Sequence, residues 1–149
     1  MAVNGASTAH EPPGTLHVRL LTPSGTLYEG AASSVAAVAE GGALEILSDH
    51  GDLMTPLEIA VLKVSPPGGE PVTFAVHGGF LEVKPDEVRV LADAAESGGD
   101  IDIERARAAS ERARRRIADA STGGEEVNVD RAENARKRAL LRLGVTGRG

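Results

Sequence analysis

The sequence predicts an all-β N-terminal domain, a sandwich or flattened barrel, followed by a C-terminal antiparallel α-helical hairpin. Three observations carry that expectation. Between residues 15 and 96, apolar residues alternate with polar ones in short runs set off by Gly and Pro. From residue 100 onward the apolar period lengthens to three and four, and Ala and Arg replace Pro and the β-branched residues. The charge changes sign at the same place: 4 Lys and Arg against 13 Asp and Glu before Asp100, then 12 against 9 from it. These shifts divide the chain into a tail over 1–14, a β domain over 15–97 and a hairpin over 98–149.

Residues 1–14 are small and polar and end in Pro12-Pro13-Gly14, which reads as a flexible tail rather than a signal peptide. Leu16, Val18 and Leu20 alternate with His17 and Arg19, the mark of a strand with one buried face. The same pattern recurs at Val72-Phe74-Val76, at Leu81 and Val83 beside Glu82 and Lys84, and at Val88 and Val90 beside Glu87 and Arg89. Turn signals fall at Pro23-Ser24-Gly25, Gly41-Gly42, Pro66-Pro67-Gly68-Gly69, Gly78-Gly79 and Pro85-Asp86. Many short strands with no helix between them predict an antiparallel sheet architecture. Aromatics make up only 2% of the chain, so the core must be built from Val, Leu, Ile and Ala.

The first helix carries Ile103, Ala106, Ala109 or Ser110, Ala113 and Ile117 on one stripe, with Asp102 and Glu104 in its first turn and Arg114–Arg116 near its end. Gly123-Gly124 breaks the pattern. The second helix is expected to start near Asp130, where Asp130 and Glu133 have capping-box spacing, and to stop at Gly144. Its stripe is Ala132, Ala135, Ala139 and Leu143. An alanine seam buries little area, at roughly 25 cal/mol per Å2, so the hairpin is expected to dock weakly and to change position.

Several functions are excluded by what the chain lacks. There are no cysteines, hence no disulfides or thiolate metal sites, and no run approaches the roughly 20 apolar residues of a membrane span. Soluble, intracellular behaviour is the expectation. His17, His50 and His77 fall in no ligand-spaced cluster and read as surface or turn histidines; no serine sits in a nucleophile elbow. No catalytic or metal-binding residues are assigned. The net charge of −6, and a basic region without aromatics for stacking, argue against nucleic acid.

The run Ala75-Val76-His77-Gly78-Gly79-Phe80-Leu81-Glu82-Val83-Lys84-Pro85-Asp86 resembles the A-V-x-G-G-F-x-E-V signature of the epsilon subunit of bacterial F-type, or rotary, ATP synthases. Val88–Glu96 continues in the family's manner, and Leu20–Gly30 is similar to its opening V-x-T-P-x-x-x-x-x-x-G. The likeness runs from Thr15 to Gly144. One segment departs: where the family has L-P-G-H-A-P-L, this chain has Leu47-Ser48-Asp49-His50-Gly51-Asp52-Leu53, keeping His50 without the Pro-Gly turn.

The resemblance implies a non-catalytic rotor subunit of the central stalk, peripheral to the cytoplasmic face of the bacterial plasma membrane. It would bind the gamma subunit and the c-ring through its sandwich and couple them to the catalytic head. The hairpin would regulate or inhibit ATP hydrolysis, meeting the catalytic beta and alpha subunits when extended. Ile101-Asp102-Ile103-Glu104-Arg105-Ala106 matches the family's I/L-D-x-x-R-A motif, which marks a regulatory ATP site; no other cofactor is implied. By that likeness Asp102, Arg105 and Ala106, with Glu96, Arg112, Arg138 and Arg142, are the ATP-binding candidates. Arg105 and Arg112 share one helical face and Arg138 and Arg142 another, and guanidinium suits phosphate oxygens. Spacing alone describes them equally well as solvated arginines. His50, Arg114, Arg115, Arg116, Arg136 and Lys137 are the candidates for partner contact. A different class stays open: a stand-alone β-sandwich binding module with a helical dimerisation arm.

Overall fold

The computed structural model describes residues 12–121 and 128–145. The chain divides into two compact units that meet between Ser97 and Gly98. The first contains β1 (Leu16–Thr22), β2 (Gly25–Ala32), β3 (Ser34–Ala39), β4 (Gly42–Leu47), β5 (Leu53–Ser65), β6 (Val72–Val83), β7 (Glu87–Ala92) and β8 (Ala95–Ser97). The second begins with a 3-10 turn at Gly98–Asp100 and contains α1 (Ile103–Ser121) and α2 (Val129–Val145). The expected tail lies mostly outside the described residues, as does Gly123-Gly124. Its last residues form a turn closed by Thr15 Oγ1 donating to Pro12 O at 2.6 Å.

Hydrogen bonding runs β2-β1-β7-β6-β5-β3-β4, with β8 added to β6. The ladders are antiparallel except one. β1 and β7 pair in parallel, His17 to Glu87 through Leu21 to Leu91, which corrects the expectation of a purely antiparallel sheet. The two long strands explain how one hydrogen-bonded sheet becomes two layers. The C-terminal half of β6 pairs with β7 through Gly79–Val83, and its N-terminal half pairs with β8 through Phe74–Val76. β5 runs antiparallel to β6 along its whole length, Leu53 to Val83 through Val64 to Val72.

The buried side chains show where the layers part. In β6, Phe74 and Val76 point into the core, but so do Leu81 and Val83, which have the opposite parity. Strict alternation cannot put both pairs on one face. The parity switches at Gly78 and Gly79, whose φ angles are +84° and +119°. A side chain at Gly79 would place its Cβ 2.1 Å from the Leu91 carbonyl oxygen and 2.8 Å from Ala92 Cα. The sequence reading of Gly78-Gly79 as a turn between strands is thus corrected: the pair lies inside β6 and bends it from one layer into the other.

The layers close on one core. Leu16, Val18, Leu20, Leu81, Val83, Val88 and Val90 from one layer meet Val35, Ala37, Ile46, Leu62, Val64, Phe74 and Val76 from the other. Tyr28 and Phe74 meet edge to face at 5.8 Å between ring centroids, using two of the chain's three aromatics. Burial raises the Tyr28 phenol above its ordinary pKa.

In the second unit α1 and α2 pack through Ala106 and Ala113 on one side and Ala132 and Ala139 on the other, each pair one heptad apart. Both helices carry N-caps. Asp102 Oδ1 accepts from the Arg105 N–H at 3.0 Å, and Asn128 Oδ1 from the Arg131 N–H at 2.9 Å. The second cap replaces the expected Asp130–Glu133 box: Asp130 lies inside the first turn, where its charge faces the positive end of the helix. Gly144 is not the stop, since α2 continues to Val145.

Replacing Gly79 with Ala is expected to destabilise the first unit by at least about 3 kcal/mol, because both the backbone angle and the Leu91 carbonyl forbid a Cβ. Gly41→Ala, where nothing lies within 4 Å, is the control and should cost under about 1 kcal/mol. Urea unfolding curves of the two variants check this.

Candidate functional site

The functional surfaces follow from which strand residues remain on the outside. On the outer face of the β2-β1-β7-β6-β5 layer, the registers line up two rows that cross the strands. One row is Glu29, Arg19, Arg89, Glu82 and Met54. The next is Thr26, Leu21, Leu91, Phe80 and Pro56. The first row is ionic. Arg89 donates to Glu82 at 3.2 Å and to Glu87 at 3.3 Å, while Glu29 takes His17 Nε2–H at 3.1 Å and lies 3.6 Å from Arg19 Nε. The second row is apolar and open to solvent, with Phe80 at 51% exposure and Leu91 at 41%. Met54, at the end of the ionic row, is 66% exposed. Three large apolar side chains on one flat face, beside ion pairs already closed on themselves, make a surface suited to a protein partner.

Sequence reasoning missed this row, though a signal was present. Leu91 follows Glu87 and Arg89 in the outward phase of β7, and Phe80 shares the outward phase of Glu82. An apolar residue in the polar phase of an otherwise regular strand marks an outward-facing contact.

His50 lies in the turn after β4, half-buried, with Nδ1–H donating to Gly51 O at 2.7 Å and its backbone N–H to Leu47 O at 3.3 Å. Asp49 occupies the left-handed region at φ +63°, the one described non-Gly residue that does so. It stands where the L-P-G-H pattern has glycine. Asp tolerates that region better than most residues, so the turn survives without its Pro-Gly pair.

The basic candidates fall in two groups. Glu111 holds Arg114 at 2.8 Å and Arg115 at 3.2 Å, and these bonds lower its carboxyl from 4.5 to about 2 while raising Arg114. Arg116, Arg136 and Lys137 are exposed on α1 and α2 without an ion pair among the described residues. Of the nucleotide candidates on the hairpin, Arg105 and Arg112 are exposed on α1, and Arg138 is half-buried on α2. These three likewise have no carboxylate partner among the described residues. Arg142 is half-buried one turn beyond Arg138. Asp102 is engaged in its cap, and Ala106 is a buried member of the alanine seam. Glu96 belongs to β8 and contacts His77 at 3.2 Å. Reading His77 as a surface or turn histidine is corrected, for it is buried in mid-strand at 8% exposure. No described cluster of His, Asp and Glu has the makings of a metal site, and no described helix is long and apolar enough to cross a membrane.

Residues 15–98 match the family model described as ATP synthase, Delta/Epsilon chain, beta-sandwich domain, and residues 100–147 match its long alpha-helix domain. The chain belongs to the ATP synthase delta/epsilon family. The ATP synthase epsilon chain of Halalkalibacterium halodurans is 46% identical over 103 residues, covering 69% of this chain and 77% of that one. The same subunit of Anoxybacillus flavithermus is 46% identical over 103 residues, covering 69% and 76%. The fold is also similar to chains in solved assemblies. One is the Euglena gracilis mitochondrial ATP synthase OSCP/F1/c-ring assembly, with TM-score 0.65, 19% identity, and 94% of this chain and 82% of that one covered. Another is the central stalk/c-ring of the Tetrahymena thermophila mitochondrial ATP synthase, with TM-score 0.54, 16% identity, and coverage of 88% and 96%. Within the family frame, the signature glycines are the Gly78-Gly79 bend and the signature Phe is the exposed Phe80.

The Glu111 fork makes a pH prediction. Its folded carboxyl is lowered, so the contact is complete above the ordinary carboxylate range and is lost as pH falls through about 2. Carboxyl-carbon NMR should place the Glu111 midpoint near 2, and replacing Arg114 and Arg115 together by Gln should return it toward 4.5.

Proposed function

We propose that this chain is the epsilon subunit in the rotor of a proton-translocating F-type ATP synthase. In this reading the sandwich docks on the gamma subunit and the c-ring, and the hairpin regulates hydrolysis. The observation that supports it most is the Leu21–Leu91–Phe80–Pro56 row, an apolar strip on a rigid sheet within a chain whose two halves match the family in order. A part that transmits torque needs a stiff body with a broad contact face and no need of a reactive pocket. A sheet held by one continuous core meets that need, and the apolar strip would be covered by the partner with which the subunit turns.

The hairpin is the regulatory element in this proposal, and ATP is its ligand. Arg105, Arg112 and Arg138 carry charges that no described carboxylate neutralises, and a triphosphate supplies the missing anion. ATP would favour one position of the hairpin only by binding it more tightly than the other. Arg116, Arg136 and Lys137 would meet acidic surface on the catalytic subunits when the hairpin extends. Exposed pairs contribute about 0–1 kcal/mol each, which suits reversible engagement. The subunit would sit at the cytoplasmic face of the membrane, held there through the assembly.

Two measurements test the two parts. Phe80→Asp and Leu91→Asp together should abolish co-purification with the gamma subunit while the circular dichroism of the isolated chain stays unchanged. Retention of gamma by the double variant would rule out this strip as the docking face, and failure of the unaltered chain to co-purify with gamma would favour a stand-alone binding module. Calorimetric titration of the isolated chain with ATP should give a saturable heat that Arg138→Ala weakens by about tenfold or more. No heat at millimolar ATP would end the nucleotide proposal and leave the docking face standing.

A further inference from the structure

Each buried alanine of the hairpin seam follows an arginine: Arg105-Ala106 and Arg112-Ala113 on α1, Arg131-Ala132 and Arg138-Ala139 on α2. One residue is about 100° of an α-helix, so every one of these arginines stands to the same hand of the seam. Two helices packed antiparallel on a common seam are related by a two-fold axis through it. An equal offset of the same hand therefore brings both rows to one face of the hairpin. Arg116, one turn past Arg112, prolongs the α1 row. Ala109 and Ala135, both half-buried, lie between the rows and the seam. The face is a shallow groove with an alanine floor and a guanidinium wall on either side.

Charge on this face is one-sided. Arg105, Arg112, Arg116 and Arg131 are exposed, Arg138 is half-buried, and none has an ion pair among the described residues. Glu104 and Glu111 of α1 turn away from the groove, to Arg107 at 3.9 Å and to Arg114 and Arg115. Asp119 follows the α1 row at its loop end, where it already makes an interaction of its own. On α2, Asp130 and Glu133 are out of phase with the row. The chain's aromatics, Tyr28, Phe74 and Phe80, all belong to the first unit, so the hairpin offers no ring on which to stack a base.

We propose that this groove binds inorganic polyphosphate, a linear chain that repeats a negative charge at every phosphate. Guanidinium takes phosphate oxygens bidentately and keeps its charge at every working pH. Arg105 and Arg116 lie about 16 Å apart along the helix axis, a row that outruns the three phosphates of ATP. A narrow chain meets both walls along that length, whereas an acidic helix needs more apolar floor than two alanines give. The inference extends the nucleotide reading: it shares Arg105, Arg112 and Arg138, adds Arg116 and Arg131, and needs no base.

The test is calorimetric titration of the full chain with polyphosphate of about twenty units, inorganic triphosphate and ATP, compared at equal phosphate concentration. Polyphosphate is expected to bind at least about tenfold more tightly than triphosphate, because more arginines are engaged. Arg116→Gln with Arg131→Gln should remove about tenfold of the polyphosphate affinity while leaving ATP within about twofold. Arg107→Gln with Arg114→Gln, equal in net charge but on the other face, is the control and should leave polyphosphate within about twofold. Gln keeps helix propensity, and circular dichroism checks that both variants stay helical. Loss of ATP binding with polyphosphate retained would sink the nucleotide reading and leave this one standing. Triphosphate binding as tightly as polyphosphate, or equal losses from the two double variants, would overturn it. So would polyglutamate of matching charge binding more tightly than polyphosphate, which would assign the face to an acidic peptide.

Discussion

The closest constraint in the molecule is the approach of the Leu91 carbonyl to Gly79, leaving no room for a side chain. Everything in the first unit depends on it. The bend lets β6 pair with β8 at one end and β7 at the other, while β5 follows it antiparallel throughout. Two strands thereby belong to both layers, and a domain nearly devoid of aromatics closes on a single aliphatic core. The same bend fixes the outer surface. Because parity switches at the glycine pair, Leu81 turns inward and Phe80 outward, beside Leu91. The exposed apolar strip is thus a consequence of the residue that folds the sheet.

The second unit is held on a different principle. Alanines one heptad apart let two helices approach closely but bury little apolar area, so packing contributes far less per residue than in the sandwich. Local devices supply the rest. Asp102 and Asn128 satisfy N-terminal amides, and Glu111 ties Arg114 and Arg115 along α1. Such interactions are short in sequence and lie within the hairpin itself.

What was legible in the sequence was the part governed by period. The half-buried strands β1 and β7 and both alanine stripes announce themselves because one face is wet and the other dry. β3 does not: Ser34-Val35-Ala36-Ala37-Val38-Ala39 is apolar almost throughout, so alternation carries no contrast. β5 is masked by Pro56, which pairs with Phe80 within the ladder. Gly78-Gly79 reads as a turn because the same freedom of φ serves turns and bends, and only the position of β7 distinguishes them. Asn128 and Asp130 both offer a short polar side chain at the start of α2, two residues apart, and the helix takes the earlier one as its cap. The candidate arginines were legible as residues but not as neighbours, since spacing fixes a helical face and not what that face meets.

Charge is used in opposite ways by the two units, and the difference bears on what each is for. On the sandwich, Arg19 and Arg89 stand among Glu29, Glu82 and Glu87, so the cationic groups beside the apolar row are already answered by carboxylates from their own layer. A partner covering that face would desolvate pairs, which costs less than desolvating lone charges, and would gain the apolar area alongside. On the hairpin, Glu111 answers Arg114 and Arg115, whereas Arg105, Arg112 and Arg138 are left without a described carboxylate. Arginine cannot relieve itself by losing a proton. Where the chain closes its charges, a dry contact would desolvate only neutralised groups, and where it leaves them open the proposed triphosphate would supply the counter-charge.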